Sequence, residues 1–222
     1  MTKDLVIIGC GGLGREAVFL AESVNRATPS WNLLGYVGRE PESIGQMIGE
    51  FRVVGDDEWL CAIEREMAAV LAIGSPALKN RVRERLGENR NLSFPNLIHP
   101  SATGDWQRIK MGEGNLVFNT VGFTTGIIVG RFNVVNPGCT ISHDCALGSW
   151  NLLGPGVHLA GGVSIGNRVV LGVGAQVLPG VAIGDDVTIG GGAVVTKSIG
   201  RAGTYVGVPA RLLNRREGGQ NH

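Results

Sequence analysis

His143 and Asp144 stand side by side in the stretch NPGCTISHDCALG, Asn136 to Gly148, inside a long run of small and aliphatic residues. An imidazole can take a proton from an attacking amine or hydroxyl, and an adjacent carboxylate can orient the ring and favour its charged form. Direct attack on an activated carbonyl needs little beyond such a base and one or two N–H donors for the oxyanion. No nucleophilic serine or cysteine is required, and Cys139 and Cys145, which flank the histidine, fall in the inward register described below and read as packing. A second chemical signal lies near the start of the chain. There GCGGLG (Gly9, Gly11, Gly12, Gly14) follows an apolar run and precedes a helical pattern. Such glycines let backbone approach a phosphate at a helix N-terminus.

The elements that must hold the histidine follow a period of six. From Met111 through Val117, Phe123 and Val129 to Val195, all fifteen residues at that spacing are apolar. A second register, from Val121 to Ile199, is interrupted only by Asn133 and Asn151. Two inward positions per six residues predict a hexapeptide β-helix, in which three hexads close one triangular coil. The pattern is long enough for about five coils, from about residue 109 to about 200. In the hexad that begins at Ile141, His143 and Asp144 take the third and fourth places, at a corner that points away from the filled interior. Gly161 lies eighteen residues further on, one coil above His143, where its N–H shares the same corner.

Residues 3 to about 98 have a different grammar. DLVIIG, LLGYVG and AAVLAIG read as buried strands; LGREAVFLAESV, DDEWLCAIERE and SPALKNRVRERL read as helices. The alternation predicts a short doubly wound parallel sheet of four or five strands. A dinucleotide reader would need an acid about twenty residues after the glycine loop, for the ribose. The second strand instead ends YVGRE, with Gly38 and Arg39 at that place. A dinucleotide site, a plain tight turn and a diphosphate cradle all remain open at this point.

Charge and composition narrow the function classes. Lys plus Arg number 20 against 19 for Asp plus Glu, a net charge of +1 over 222 residues, which argues against a dedicated nucleic-acid or membrane surface. Four cysteines (Cys10, Cys61, Cys139, Cys145) without CxxC spacing fit free thiols in a reducing compartment. The apolar run in MTKDLVIIGCGG is too short for a signal peptide or membrane helix, so a cytoplasmic location is expected.

With VIIGCGGLGRE, AIGSPALKNRV, LIHPSA, NPGCTISHDC, the hexads and the closing VGVPAR in view, the chain resembles the left-handed β-helix sugar O- and N-acetyltransferases that carry a small Rossmann-like domain in front. These include the bacterial nucleotide-amino-sugar N-acetyltransferases and the sialic acid O-acetyltransferase-like proteins. The resemblance implies an α/β fold plus β-solenoid, with a Rossmann-like nucleotide-sugar-binding domain over 1–98 and a left-handed parallel β-helix over 99–222 ending in a coenzyme A-binding tail. It implies acetyl-CoA as co-substrate, no metal and no NAD. It also implies a homotrimer with active sites between adjacent prisms. The acceptor would be a nucleotide-linked 4-amino sugar of surface-glycan biosynthesis, or alternatively the hydroxyl of sialic acid or a similar sugar.

Carried onto this sequence, the resemblance assigns catalysis to His143 with Asp144 and Asn136. It assigns acetyl-CoA contacts to Gly161, Leu152, Val173, Lys197, Pro209 and Arg211, and acceptor contacts to Gly11, Gly12, Leu13, Gly38, Arg39 and Gly74. Leu13 and Leu152 stand where relatives usually carry histidine. Arg201, Arg215 and Arg216 add positive charge near the C-terminus for coenzyme phosphates. His158, fifteen residues from His143, falls on another face, and His99 in LIHPSA reads as structural. Three rivals remain: a γ-type carbonic anhydrase, which needs three histidines around zinc; a nucleotide-sugar dehydrogenase; and a non-catalytic β-helix scaffold.

Overall fold

The computed structural model describes residues 2–87 and 89–213. The N-terminal part is a six-stranded sheet: β1 (Lys3–Ile8), β2 (Trp31–Val37), β3 (Met47–Ile48), β4 (Phe51–Gly55), β5 (Met67–Leu71) and β6 (Leu92–Ser93), in the order β3-β4-β2-β1-β5-β6. All pairings are parallel except the β3–β4 hairpin. Period-two alternation buries both faces of β1. Leu5 and Ile7 pack under α1 (Gly12–Ala27), while Val6 and Ile8 pack with Leu60 of α2 (Asp57–Cys61) and the α3 (Pro76–Arg85) side. Six strands replace the expected four or five: β3 and β6 have only two residues each, and β4, as long as β5, lacks its continuous apolar run because Arg52 and Gly55 interrupt FRVVG. The expected helix over DDEWLCAIERE stops at Cys61 after little more than one turn capped by the Asp56 carboxylate, which accepts from the Trp59 N–H.

The second half is a left-handed parallel β-helix. From Lys110 to Val195 its strands pair with a constant offset of eighteen residues on three sheets, for example Thr140 with His158, Ala146 with Ser164, and Leu152 with Val170. Every hexad position from Val117 to Val195 is buried, as is every position of the second register. The coil begins earlier than the hexads indicate: Leu97–Ile98 already pairs with Leu116–Val117. At the far end Gly203–Val206 and Arg211–Leu212 close one sheet as a hairpin.

Asn133 and Asn151, which interrupt the inward register, are fully buried and belong to a ladder. The Asn96 side-chain oxygen accepts from the Asn115 N–H (2.8 Å), Asn115 from the Asn133 N–H (2.9 Å), Asn133 from the Asn151 N–H (2.9 Å) and Asn151 from the Val169 N–H (2.8 Å). Each buried amide oxygen thus satisfies one backbone donor of the next coil. The ladder does inside the prism what strand pairing does on its faces.

The two halves meet along α1 and α3. Leu116, Phe118 and Val134 on the outside of one prism face join the α1 side of the sheet in one apolar cluster. At a neighbouring corner Phe132 stacks on Trp150 (4.4 Å between ring centroids, 8° between planes), and Phe94 meets Phe132 edge-on. Lys79 of α3 is buried there, at 1% exposure, with its ammonium donating to the Phe132 carbonyl at 3.1 Å. Burial pulls its pKa down to about 7, whereas an unfolded lysine titrates near about 10.4. Between those values the unfolded chain holds a proton that the folded chain has shed, so stability rises with pH through the window, by up to about 1.4 kcal/mol per unit. Urea unfolding at pH 7 and pH 9 should therefore show the wild type gaining on Lys79→Met. A constant difference between the two would mean that Lys79 keeps an ordinary pKa when folded.

Candidate active site

His143 and Asp144 occupy the corner between the strands Thr140–Ile141 and Ala146–Leu147. Asp144 adopts a positive φ of 60°, a conformation that short polar side chains tolerate better than most. Its N–H donates to the Thr125 carbonyl one coil below at 3.1 Å. Its carboxylate bonds the His143 Nδ1 at 2.9 Å, and both side chains are largely exposed, at 63% and 74%. With Nδ1 engaged by the carboxylate, Nε2 is left to face a substrate. Cys139 and Cys145 turn inward, their thiols bonded to the carbonyls of Gly154 and Ala160. Burial pushes Cys139 up to about 11, so the nearby thiols are packing and not nucleophiles.

Gly161 lies directly above the imidazole. A Cβ built on it would sit 2.5 Å from His143 Cε1 and Nε2, closer than nonbonded carbons approach. The Gly162 N–H donates to the His143 carbonyl, while among the described residues the Gly161 N–H donates to no group. A ring nitrogen and a free amide donor therefore share one small space.

Asn136 is not beside His143 within one chain. It lies at the opposite end of the same strand, where its Nδ2 donates to the Leu153 carbonyl at 2.8 Å. Lys197 stands on the His143 corner three coils further on, by the eighteen-residue offset of that face. Val173 is exposed on the next corner. Arg211 and Pro209 lie in the terminal hairpin, whose turn rests on the last strand through the Ala210 N–H to Val194 carbonyl bond, 2.8 Å. Arg215 and Arg216 lie outside the described residues. Leu152 is half-buried and packs in the cluster that joins the two halves. Apolar contact explains a leucine there, and the position is not on the His143 corner. His158 bonds the Thr140 hydroxyl at 2.8 Å, on a flat face, and His99 stacks on Phe19. Among the described residues no three His, Cys, Asp or Glu side chains gather as a metal centre would require.

A second cavity, of about 430 Å³, opens at the carboxyl ends of β1, β2 and β5. The strand order reverses there: β2 flanks β1 on one side and β5 on the other, the place where open α/β sheets bind ligands. Gly38 and Arg39 line it together with Gly9 and Cys10. The four loop glycines divide in role. A Cβ on Gly9 would strike the Ala72 carbonyl at 2.7 Å and one on Gly14 would strike the Gly9 carbonyl, so both serve packing. Gly11, Gly12 and Gly74 have open space ahead of them. Leu13 packs partly against the α1 cluster instead of standing free.

The same cavity is lined by residues the sequence did not single out: Asp57, Arg81 and Arg85. Asp57 was concealed because an acidic pair before an apolar run reads as a helix start. Burial raises its carboxyl above the usual range, against the pull of the Arg85 guanidinium. The carboxylate missing after β2 is thus supplied to the same cavity from after β4.

The geometry of the corner gives a direct check. Gly161→Ala should displace the His143 ring, read as a shift of its imidazole NMR resonances with the melting temperature nearly unchanged. An unmoved resonance would show that the ring is not held under the coil above.

Residues 4–86 match the PglD N-terminal domain family, and residues 162–197 match the bacterial transferase hexapeptide (six repeats) family. No curated protein matches the sequence. Among solved structures, PerB from Caulobacter crescentus in complex with CoA and GDP-perosamine is 35% identical, with 96% of this chain and 99% of that chain covered at a TM-score of 0.85. The acetyltransferase domain of PglB from Neisseria gonorrhoeae in complex with acetyl coenzyme A is 28% identical, with 96% and 100% covered and a TM-score of 0.84. WeeI from Acinetobacter baumannii is 24% identical over 96% of this chain and 100% of that one, with a TM-score of 0.83, and shares the fold.

Proposed function

This chain belongs to the hexapeptide-repeat sugar acetyltransferases with a Rossmann-like N-terminal domain, and on that premise we propose that it moves the acetyl group of acetyl-CoA to the amine of a nucleotide-linked 4-amino sugar. The observation that carries the proposal is the His143–Asp144 pair held under an unengaged Gly161 N–H. Asp144 holds Nδ1, so His143 Nε2 accepts the proton as the sugar amine attacks the thioester carbonyl. A C–N bond forms, and the negative charge on the carbonyl oxygen is received by the Gly161 N–H. Collapse of that intermediate breaks the C–S bond, and the imidazolium returns its proton to the departing coenzyme thiolate. Transfer is direct, with no acyl-enzyme, which agrees with the inert buried thiols.

The open cradle at Gly11, Gly12 and Gly74 and the cavity beside Gly38 and Arg39 are assigned to the nucleotide of the acceptor. Arginine is suited to diphosphate because its planar fork makes paired, charge-assisted hydrogen bonds. Coenzyme contacts fall to the prism: Val173, Lys197, Pro209 and Arg211, with Gly161 at the reacting end.

We further propose a homotrimer. Asn136 and His143 stand at opposite corners of one prism face, so a single chain does not form a site from both. A neighbouring prism packed along that face would bring one chain's Asn136 toward the next chain's His143.

Thiol release from acetyl-CoA with a panel of nucleotide-linked 4-amino sugars tests the reaction. His143→Ala should lower kcat roughly 10²–10⁴-fold, the usual worth of a general base, with acetyl-CoA affinity close to normal. Asp144→Asn should cost less, since the base itself remains. Near-full kcat in His143→Ala with a matched acceptor would remove the histidine from the mechanism. Light scattering should give three times the 23.3 kDa chain mass; a fully active monomer would refute the shared site.

A further inference from the structure

We propose that the cavity at the carboxyl ends of β1, β2 and β5 selects a guanine nucleotide, with the Asp57 carboxylate accepting hydrogen bonds from the N1–H and the 2-amino group of the base. The assignment rests on the nucleotide-sugar function proposed above and names the nucleotide.

The first ground is the state of Asp57. Its side chain is 9% exposed, and its one polar contact among the described residues is an ion pair with Arg85, Oδ2 to Nη1 at 3.3 Å. None of the hydrogen bonds of the described residues ends on its carboxylate, whereas Asp56 beside it caps α2. A carboxylate offers about four lone-pair sites, and withdrawing it from water without donors is unfavourable. Burial accordingly raises the Asp57 carboxyl. A buried acceptor that borders a cavity, with one guanidinium beside Oδ2 and no hydrogen bond from the described residues to fill its remaining lone pairs, matches a ligand that brings donors.

The second ground is the wall around it. Ile73, Leu78 and Val82 give the cavity apolar surface, while Arg39, Arg81 and Arg85 supply its positive charge. Apolar walls with a single converging acid suit a flat heteroaromatic ring better than a sugar, whose hydroxyls need partners all round.

The third ground is the chemistry of base edges. Guanine presents two adjacent donors, N1–H and the 2-amino group, spaced to meet both oxygens of one carboxylate. Uracil and thymine present one N–H between two carbonyls, which would face the carboxylate oxygens and be repelled. Adenine and cytosine pair a donor with a ring acceptor. A site built to bond a donor pair rejects analogues that lack it, because its own polar group is then left unpaired.

Isothermal titration of the full chain with GDP, IDP and UDP tests this directly. GDP should bind roughly ten- to hundredfold more tightly than UDP, and IDP, which lacks the 2-amino group, should fall between them. Asp57→Asn and Asp57→Ala should weaken GDP by about the same factor and leave UDP within about twofold. Equal affinity for GDP and UDP in the wild type would overturn the base assignment while leaving nucleotide-sugar binding intact. Equal losses for both nucleotides in Asp57→Asn would place the carboxylate on the ribose instead, and also overturn it. Binding of none of the three would defeat the nucleotide-sugar function itself.

Discussion

From Lys110 to Val195 every coil of the prism closes in eighteen residues, so each strand pairs with its counterpart one turn away. That closure constraint positions nearly everything else in the second half. It sets His143 directly beneath Gly161, since the two differ by one coil, and it explains why the residue above the imidazole is glycine. It also stacks Asn115, Asn133 and Asn151 so that each buried amide answers a backbone donor of the next coil. A chain that slipped by one residue would turn the inward registers outward and move His143 from under Gly161 together.

The His143–Asp144 corner is exposed and lightly bonded, yet its backbone is not loose. Strand pairs on either side and the bond from the Asp144 N–H to Thr125 hold the turn, and the aspartate's positive φ points its carboxylate back to the ring. Rigidity comes from the coil and leaves the side chains free for solvent and substrates. The junction between the halves is built differently. It combines apolar packing under α1 with stacked aromatic rings and the buried Lys79 at α3. A lysine nearly without water and with one hydrogen bond is a strained choice for pure stability. It ties α3, one wall of the cavity beside Gly38 and Arg39, to a corner of the prism.

The prism was legible from residues alone because its period is local: an apolar residue every six positions records which way each side chain faces. The position of His143 at a corner followed from counting, and so did the glycine above it. The glycine loop and the three main strands of the sheet were legible for the same reason, being marked by runs of apolar residues and by a loop before a helix. β3 and β6 escaped because two residues carry too little pattern, and β4 because Arg52 and Gly55 break its apolar run.

The sequence by itself determined which positions face inward, the coil length, and the pairing of a histidine with a carboxylate next to it in the chain. Adjacent residues and fixed periods need no knowledge of the rest of the molecule. Only the tertiary structure decided which distant residues share a space. It separated Asn136 from His143 within one chain, turned Leu152 into the junction between the halves, and brought Asp57 and Arg85 to the same cavity as Gly38. Those placements depend on how crossovers return to the sheet and on where the prism docks against it, and neither leaves a local mark in the order of amino acids.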